Sequence, residues 1–183
     1  MSPRLHDKRA PGAAPAAHAE PARILGIDPG TRYFGYGVIE RLGPGRVRYI
    51  ECGVLEPRRG ADLSARLAEI SRGLGEVIAE LMPTVVAVEG VFHGVNARSA
   101  LQLGHSRGVA LATAGAADLL VHEYAPSTVK RAVAGSGAAS KQQVQSMVRA
   151  LCGLKRAPKL DASDALAVAI CHAFRGALAL AAR

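Results

Sequence analysis

The sequence predicts an α/β fold, one mixed five-stranded sheet flanked by helices on both faces. Three observations lead there. Three strand-like segments come first, joined by short turns. The hydrophobic spacing then changes to the helical period after Asp62. From that point helical and strand-like segments alternate, and one strand is apolar on both faces.

Ile24 to Ile27 reads as a buried strand, ended by the turn Asp28-Pro29-Gly30-Thr31. Tyr33 to Glu40 is rich in aromatic and β-branched residues and makes a second strand. Gly43-Pro44-Gly45 signals a turn, and Val47 to Leu55 follows as a third strand, giving an antiparallel meander. Leu63, Leu67, Ile70, Leu74, Val77, Ile78 and Leu81 fall on one helical stripe, with Asp62 as N-cap and Pro83 as the stop. Thr84 to Glu89 is the doubly apolar strand, placed centrally and parallel to its neighbour. A Gly/Ala-rich helix over 96–117 comes next, with Gly104, Gly108 and Ala112 suited to close helix packing. Leu119 to Tyr124 is the fifth strand. Helices over 127–134, 141–152 and 161–178 complete the chain, the middle one opened by the capping box Ser140 and Gln143.

Composition narrows the function. The 183 residues, 49% hydrophobic, suffice for one domain with its own core and no disulfide staples. A net charge of +8 favours an anionic partner, above all nucleic acid. Cys52, Cys152 and Cys171 are odd in number and lack C-x-x-C spacing, so they read as reduced thiols of a cytoplasmic protein. No apolar run is long and clean enough to span a membrane. Residues 1–22, rich in Ala, Pro and charge, read as a disordered basic leader, and 23–183 as the folded domain.

Against that basic background stand four acids in apolar surroundings. Asp28 and Glu89 each close a strand, and Asp161 and Asp164 open the Ala-rich last helix. Unpaired buried carboxylates are costly, and they are usually paired, neutralised or bound to a metal. The two strand acids sit at C-terminal strand ends, where open α/β sheets bind ligands. The two helix acids are three residues apart and share a face. Three have a structural alternative: Asp28 as the first residue of a β-turn, Asp161 as an N-cap, Asp164 as a first-turn acid favouring the helix dipole; Glu89, after four apolar strand residues, gains little from being there.

Several separated motifs then occur in one order. They are Gly26-Ile27-Asp28-Pro29-Gly30-Thr31, Gly35-Tyr36-Gly37-Val38, Val88-Glu89-Gly90-Val91-Phe92, Asn96 to Leu101, Gly104 to Val109, Val144 to Val148, and Asp161-Ala162-Ser163-Asp164-Ala165-Leu166-Ala167. From about Arg23 to Ala173 the chain resembles the ribonuclease H-like superfamily, and within it the RuvC family of Holliday junction resolvases.

That resemblance implies a Mg²⁺-dependent endonuclease that resolves four-way junctions by symmetric paired nicks in recombination and repair. Asp28, Glu89, Asp161 and Asp164 become its catalytic, metal-binding tetrad, with two Mg²⁺ per subunit and Mn²⁺ able to substitute. Carboxylates suit Mg²⁺, a hard ion that takes oxygen ligands and keeps several waters. Phe92 matches an aromatic set against unstacked bases, its alternative being core packing. Lys130 and Lys141 match basic positions near the scissile phosphates, and Arg98 and Arg107 are further DNA-binding candidates; the alternative for all four is a solvated helix surface. Gly90 departs from the Gln the family most often carries there. The resemblance also implies a homodimer, whose two-fold symmetry fits two symmetric cuts, and RuvA and RuvB as branch-migration partners.

Two other classes compete. Gly26 to Thr31 also resembles the first phosphate motif of sugar-kinase and actin-like ATPases, which need a second such domain that 183 residues do not hold. A non-catalytic DNA-binding module would bind junctions without needing the acids. Gly135-Ser136-Gly137 with Ser140-Lys141 lacks the Gly-Lys-[Ser/Thr] of a Walker A loop.

Overall fold

The computed structural model describes residues 22–90 and 97–181, with the side chains of Arg98 and of 176–181 outside the description. The expected leader up to residue 21, and Phe92 with its neighbours 91–96, lie outside the described residues. The elements run β1 (Arg23–Asp28), β2 (Phe34–Gly43), β3 (Arg46–Leu55), α1 (Leu63–Leu81), β4 (Val85–Glu89), α2 (Ala97–Ala116), β5 (Leu120–Tyr124), α3 (Pro126–Ala134), α4 (Lys141–Leu151) and α5 (Leu160–Ala181). They form one sheet in the order β3-β2-β1-β4-β5. β1 to β3 are an antiparallel meander, while β1, β4 and β5 run parallel. The sheet is therefore mixed, with β1 at its centre.

Local chemistry explains the boundaries. Asp62 caps α1 by accepting the Ala65 N–H at 2.8 Å. Its C-cap, Met82, is left-handed at φ 46°, and Pro83 cannot extend the helix. Ser140 and Gln143 close the expected capping box on α4, at 3.2 and 2.8 Å. At the chain's entry to the sheet, the Ala22 carbonyl accepts the Arg41 N–H, and Glu40 is buried between Arg23 and Arg48.

Strand alternation divides the core in two. Leu25, Ile27, Val86 and Val88 pack with Ile70, Leu74, Ala110 and Ala114 beneath α1 and α2. Ile24 and Ala87 pack with Val129, Val144, Leu166 and Ile170 beneath α3, α4 and α5. In α2 the small residues that meet this chain include Ser106, Ala110 and Ala114, all fully buried. A Cβ added at Gly104 or Gly108 would meet nothing within 4 Å, so their close packing is not made within the chain.

The second face has an unusual floor. A Cβ added to Gly26 would lie 2.0 Å from the Ala165 carbonyl oxygen, and one on Gly35 would lie 2.1 Å from that of Asp161. On Gly37 it would lie 2.6 Å from Leu166 Cγ. Gly26 pairs with Gly37, and Asp28 with Gly35, so the three glycines form one patch across β1 and β2. Only glycine lets α5 lie this close to the sheet.

Gly26→Ala is therefore expected to lower stability by about 1–3 kcal/mol, as overpacking does. Gly75→Ala, on α1 with nothing within 4 Å, should raise it by roughly 0.5–1 kcal/mol through backbone entropy. Urea unfolding of both variants checks this. A Gly26→Ala variant as stable as the wild type would contradict the close seating of α5.

Candidate active site

Strand parity decides where the two strand acids point. Asp28 follows Ile24 and Gly26 on alternate positions of β1, and Glu89 follows Val85 and Ala87 on β4. Ile24, Val85 and Ala87 all belong to the core beneath α5. Asp28 and Glu89 thus end adjacent parallel strands and face the same helix. That helix presents Asp161 and Asp164 from its first turns. α5 begins at Leu160, so Asp161 lies inside the first turn and is not the N-cap. The glycine patch sets the spacing, since Gly35, the cross-strand partner of Asp28, lies against the Asp161 backbone.

Asp28, Glu89 and Asp164 feel one another electrostatically. Burial pushes the Asp28 carboxyl up to about 7, and Glu89, Asp164 and Asp161 push in the same direction, partly offset by Lys141. Glu89 is raised by burial and by Asp164, against the pull of Lys141 and Lys130. Asp164 is raised by burial and Asp161, against Lys141 and Lys130. A cleft of about 220 Å³ adjoins these groups, with Glu89, Asp164, Lys130 and Lys141 as its charged wall and Val129 and Val144 as its apolar one. Lys141 Nζ stands 3.7 Å from Asp164 Oδ2. Lys141 is the first residue of α4, placed there by the Ser140 cap.

Among the described residues, no group of three or more His, Cys, Asp or Glu side chains is drawn tightly enough to enclose a metal ion. The donor set still fits a hard divalent ion. It is all carboxylate, half-buried, and mutually repelling, and Mg²⁺ is commonly held by one or two carboxylates while waters complete its shell. A closed cage is not needed.

Of the expected DNA-binding residues, Lys130 and Lys141 join the acids in the cleft. Arg107 does not. Its guanidinium, partly exposed, pairs with Glu123 of β5 at 2.5 Å. Phe92 and the Arg98 side chain lie outside the described residues. One brace went unforeseen: Tyr124 Oη is hydrogen-bonded to His172 Nδ1 at 2.8 Å, tying β5 to α5. Burial, with help from His122 and Arg41, holds the His172 imidazole down to about 4, so it is neutral. Tyr124 pairs with Glu89 in the sheet, and its carbonyl accepts the Gly90 N–H at 2.9 Å. The brace therefore supports the end of β4 that carries Glu89. Its sequence signal was the position of His172 on α5, two helical turns beyond Asp164.

The raised carboxyls link stability to pH. The Asp28 value in the folded protein, about 7, exceeds the ordinary 3.8. Its contribution is thus fully present below the ordinary value and is lost as pH rises through the folded one. Metal-free protein should lose stability between those two limits. Asp28→Asn should match the wild type near pH ~4 and exceed it near pH ~8 by on the order of 1–3 kcal/mol. Urea unfolding in EDTA across this range checks it; parallel pH curves would mean that Asp28 is not under strain.

Comparison with known proteins gives the family. The family model described as crossover junction endodeoxyribonuclease RuvC matches residues 24–172. A protein of that name from Syntrophotalea carbinolica is 54% identical over 151 residues, covering 82% of this chain and 93% of the relative. Another from Citrifermentans bemidjiense is 51% identical over 150 residues, covering 82% and 91%. Among solved structures, Thermus thermophilus RuvC in complex with a Holliday junction substrate superposes with a TM-score of 0.82 at 34% identity, covering 86% of this chain and 96% of that one. The fold, the matched span and the identity to these relatives together establish that the chain belongs to the RuvC family of crossover junction endodeoxyribonucleases.

Proposed function

We propose that this protein resolves Holliday junctions by divalent-metal-dependent hydrolysis of phosphodiester bonds, with Asp28, Glu89, Asp161 and Asp164 as the metal-holding acids. The observation that carries this reading is the meeting of two adjacent strand-end carboxylates with the acidic first turns of α5. The family membership, and a relative solved with a Holliday junction, support the substrate.

The residues divide the work. The four carboxylates bind and orient Mg²⁺, two ions per subunit, with Mn²⁺ able to substitute. When bound, such ions polarise the phosphate and lower the pKa of bound water. Lys130 and Lys141 attract the phosphate backbone to the mouth of the cleft, and Lys141 also tempers the repulsion among the acids. Val129 and Val144 exclude water from the far wall. Phe92 and Arg98 keep the base-stacking and DNA-binding roles that the family resemblance implies, and Arg107 serves the α2–β5 contact in the free protein.

A homodimer would deliver two cuts at symmetric positions. The exposed stripe of Leu101, Gly104, Gly108 and Ala112 on α2 supports that arrangement, because a small-residue face allows a second copy to approach closely. RuvA and RuvB are the partners proposed from the family, and the cytoplasm the site of action. Among the described residues no helix is long and apolar enough to cross a membrane. Residues 1–22 are proposed to be dispensable for cutting, with 23–183 as the nuclease domain.

Asp28→Asn, Glu89→Gln and Asp164→Asn should each retain junction binding and lose cutting by at least about 10²-fold, the scale of losing one electrostatic catalytic group. EDTA should have the same effect on the wild type. Gel assays with a mobile four-way junction and a matched linear duplex check both points. Wild-type-level cleavage by any of the three variants would overturn the tetrad, and equal cutting of the duplex would make the protein a general nuclease.

A further inference from the structure

A strongly basic recess lies outside the carboxylate cleft. The β1–β2 turn and the segment between β3 and α1 enclose about 490 Å³, lined by Arg32, Arg58, Arg59 and Arg66 together with Tyr33 and Glu56. The only acid in that lining, Glu56, is already paired with Lys159 at 2.6 Å. Arg58 lies 3.9 Å from Glu69, a loose pairing. Arg32 and Arg59 are exposed and have no ion pair or hydrogen bond among the described residues. Arg66 Nε is shut off from solvent without a hydrogen-bond partner. Tyr33 is 50% exposed, an aromatic face with nothing packed over much of it.

The recess also lies next to a groove that reaches the tetrad. It shares Tyr33 and Glu56 with a shallower groove lined by Lys159, Leu160 and Asp161. The guanidinium cluster and an acid of the tetrad therefore line adjoining recesses. We propose that this recess is a second DNA seat, in which Arg32 and Arg59 grip phosphates of a strand that runs on from the cleavage site while Tyr33 stacks on one of its bases. This rests on the reading of the carboxylate cleft as the place where DNA is cut. The chemistry favours it: guanidinium groups bind phosphate in bidentate fashion, and an exposed tyrosine stacks on any base. The volume suits one or two nucleotides. The seat fixes where the strand leaves the cleft, and so adds to the positioning of the scissile bond.

The test is equilibrium binding of the full chain to a four-way junction and to linear duplex in EDTA, titrated with salt. Arg32→Gln combined with Arg59→Gln should weaken junction binding by about tenfold or more, and should make the log–log salt dependence shallower by about two, one for each phosphate no longer gripped. Arg46→Gln combined with Arg72→Gln removes the same charge from exposed sites outside the recess, and it should leave the slope near the wild-type value. Tyr33→Ala should weaken binding by about fivefold or more while Tyr33→Phe holds it, as stacking requires. Identical slopes for the two double variants would overturn the proposal. A wild type that binds duplex and junction alike would remove the junction reading, yet the slope comparison would still decide the recess.

Discussion

The contact between α5 and the glycine patch of β1 and β2 is the constraint on which the site depends. A helix normally stands off a sheet by the depth of the side chains between them. Here Gly26, Gly35 and Gly37 remove that layer, and helix backbone meets strand backbone. Asp161 and Asp164 are brought down to the level of Asp28 and Glu89 as a result. Ala165 and Ala169, small and fully buried, complete the fit from the helix side. The Tyr124–His172 bond adds a second tie, between the helix and the outer parallel strand. The acids themselves contribute repulsion, so this packing has to hold them together.

That repulsion is what makes the cluster useful. Asp28 raised to about 7 marks a group held in a disfavoured state by burial and by three neighbouring acids. A divalent cation bound among these acids, as proposed, would relieve that strain. The surrounding chain, at +8, has the opposite sign and attracts the polyanion whose phosphate must approach those acids. Lys130 and Lys141 bring the two opposing fields to one boundary, at the mouth of the cleft. Stability is thus sacrificed locally at a site built for chemistry, a common trade in enzymes.

Much of this was legible in the residues. The strands and helices of the described residues follow from hydrophobic period, Asp62, Ser140 and the turn residues, with ends differing by at most three positions. The acids could be picked out because a carboxylate at the end of an apolar strand has no packing reason to be there. The glycine seat was not legible: Gly35 and Gly37 look like weak points of a strand until a helix backbone is seen against them. The Arg107 ion pair was not legible either, because sequence gives charge without its partner, and Glu123 is on a different element. The arginine recess joins residues from two distant turns, which no local pattern links. Long-range juxtaposition, in each case, was the missing information.

On this reading the seating of α5, and not the acids alone, creates the metal site. Gly35→Ala tests that most directly, because its new methyl would press on the Asp161 carbonyl while all four acids remain. Mn²⁺ binding followed by electron paramagnetic resonance, on protein confirmed folded by circular dichroism, is the measurement. The variant should bind Mn²⁺ at least about tenfold more weakly than the wild type, the scale seen when a supporting shell is disturbed. Equal Mn²⁺ affinity in a folded Gly35→Ala variant would contradict it.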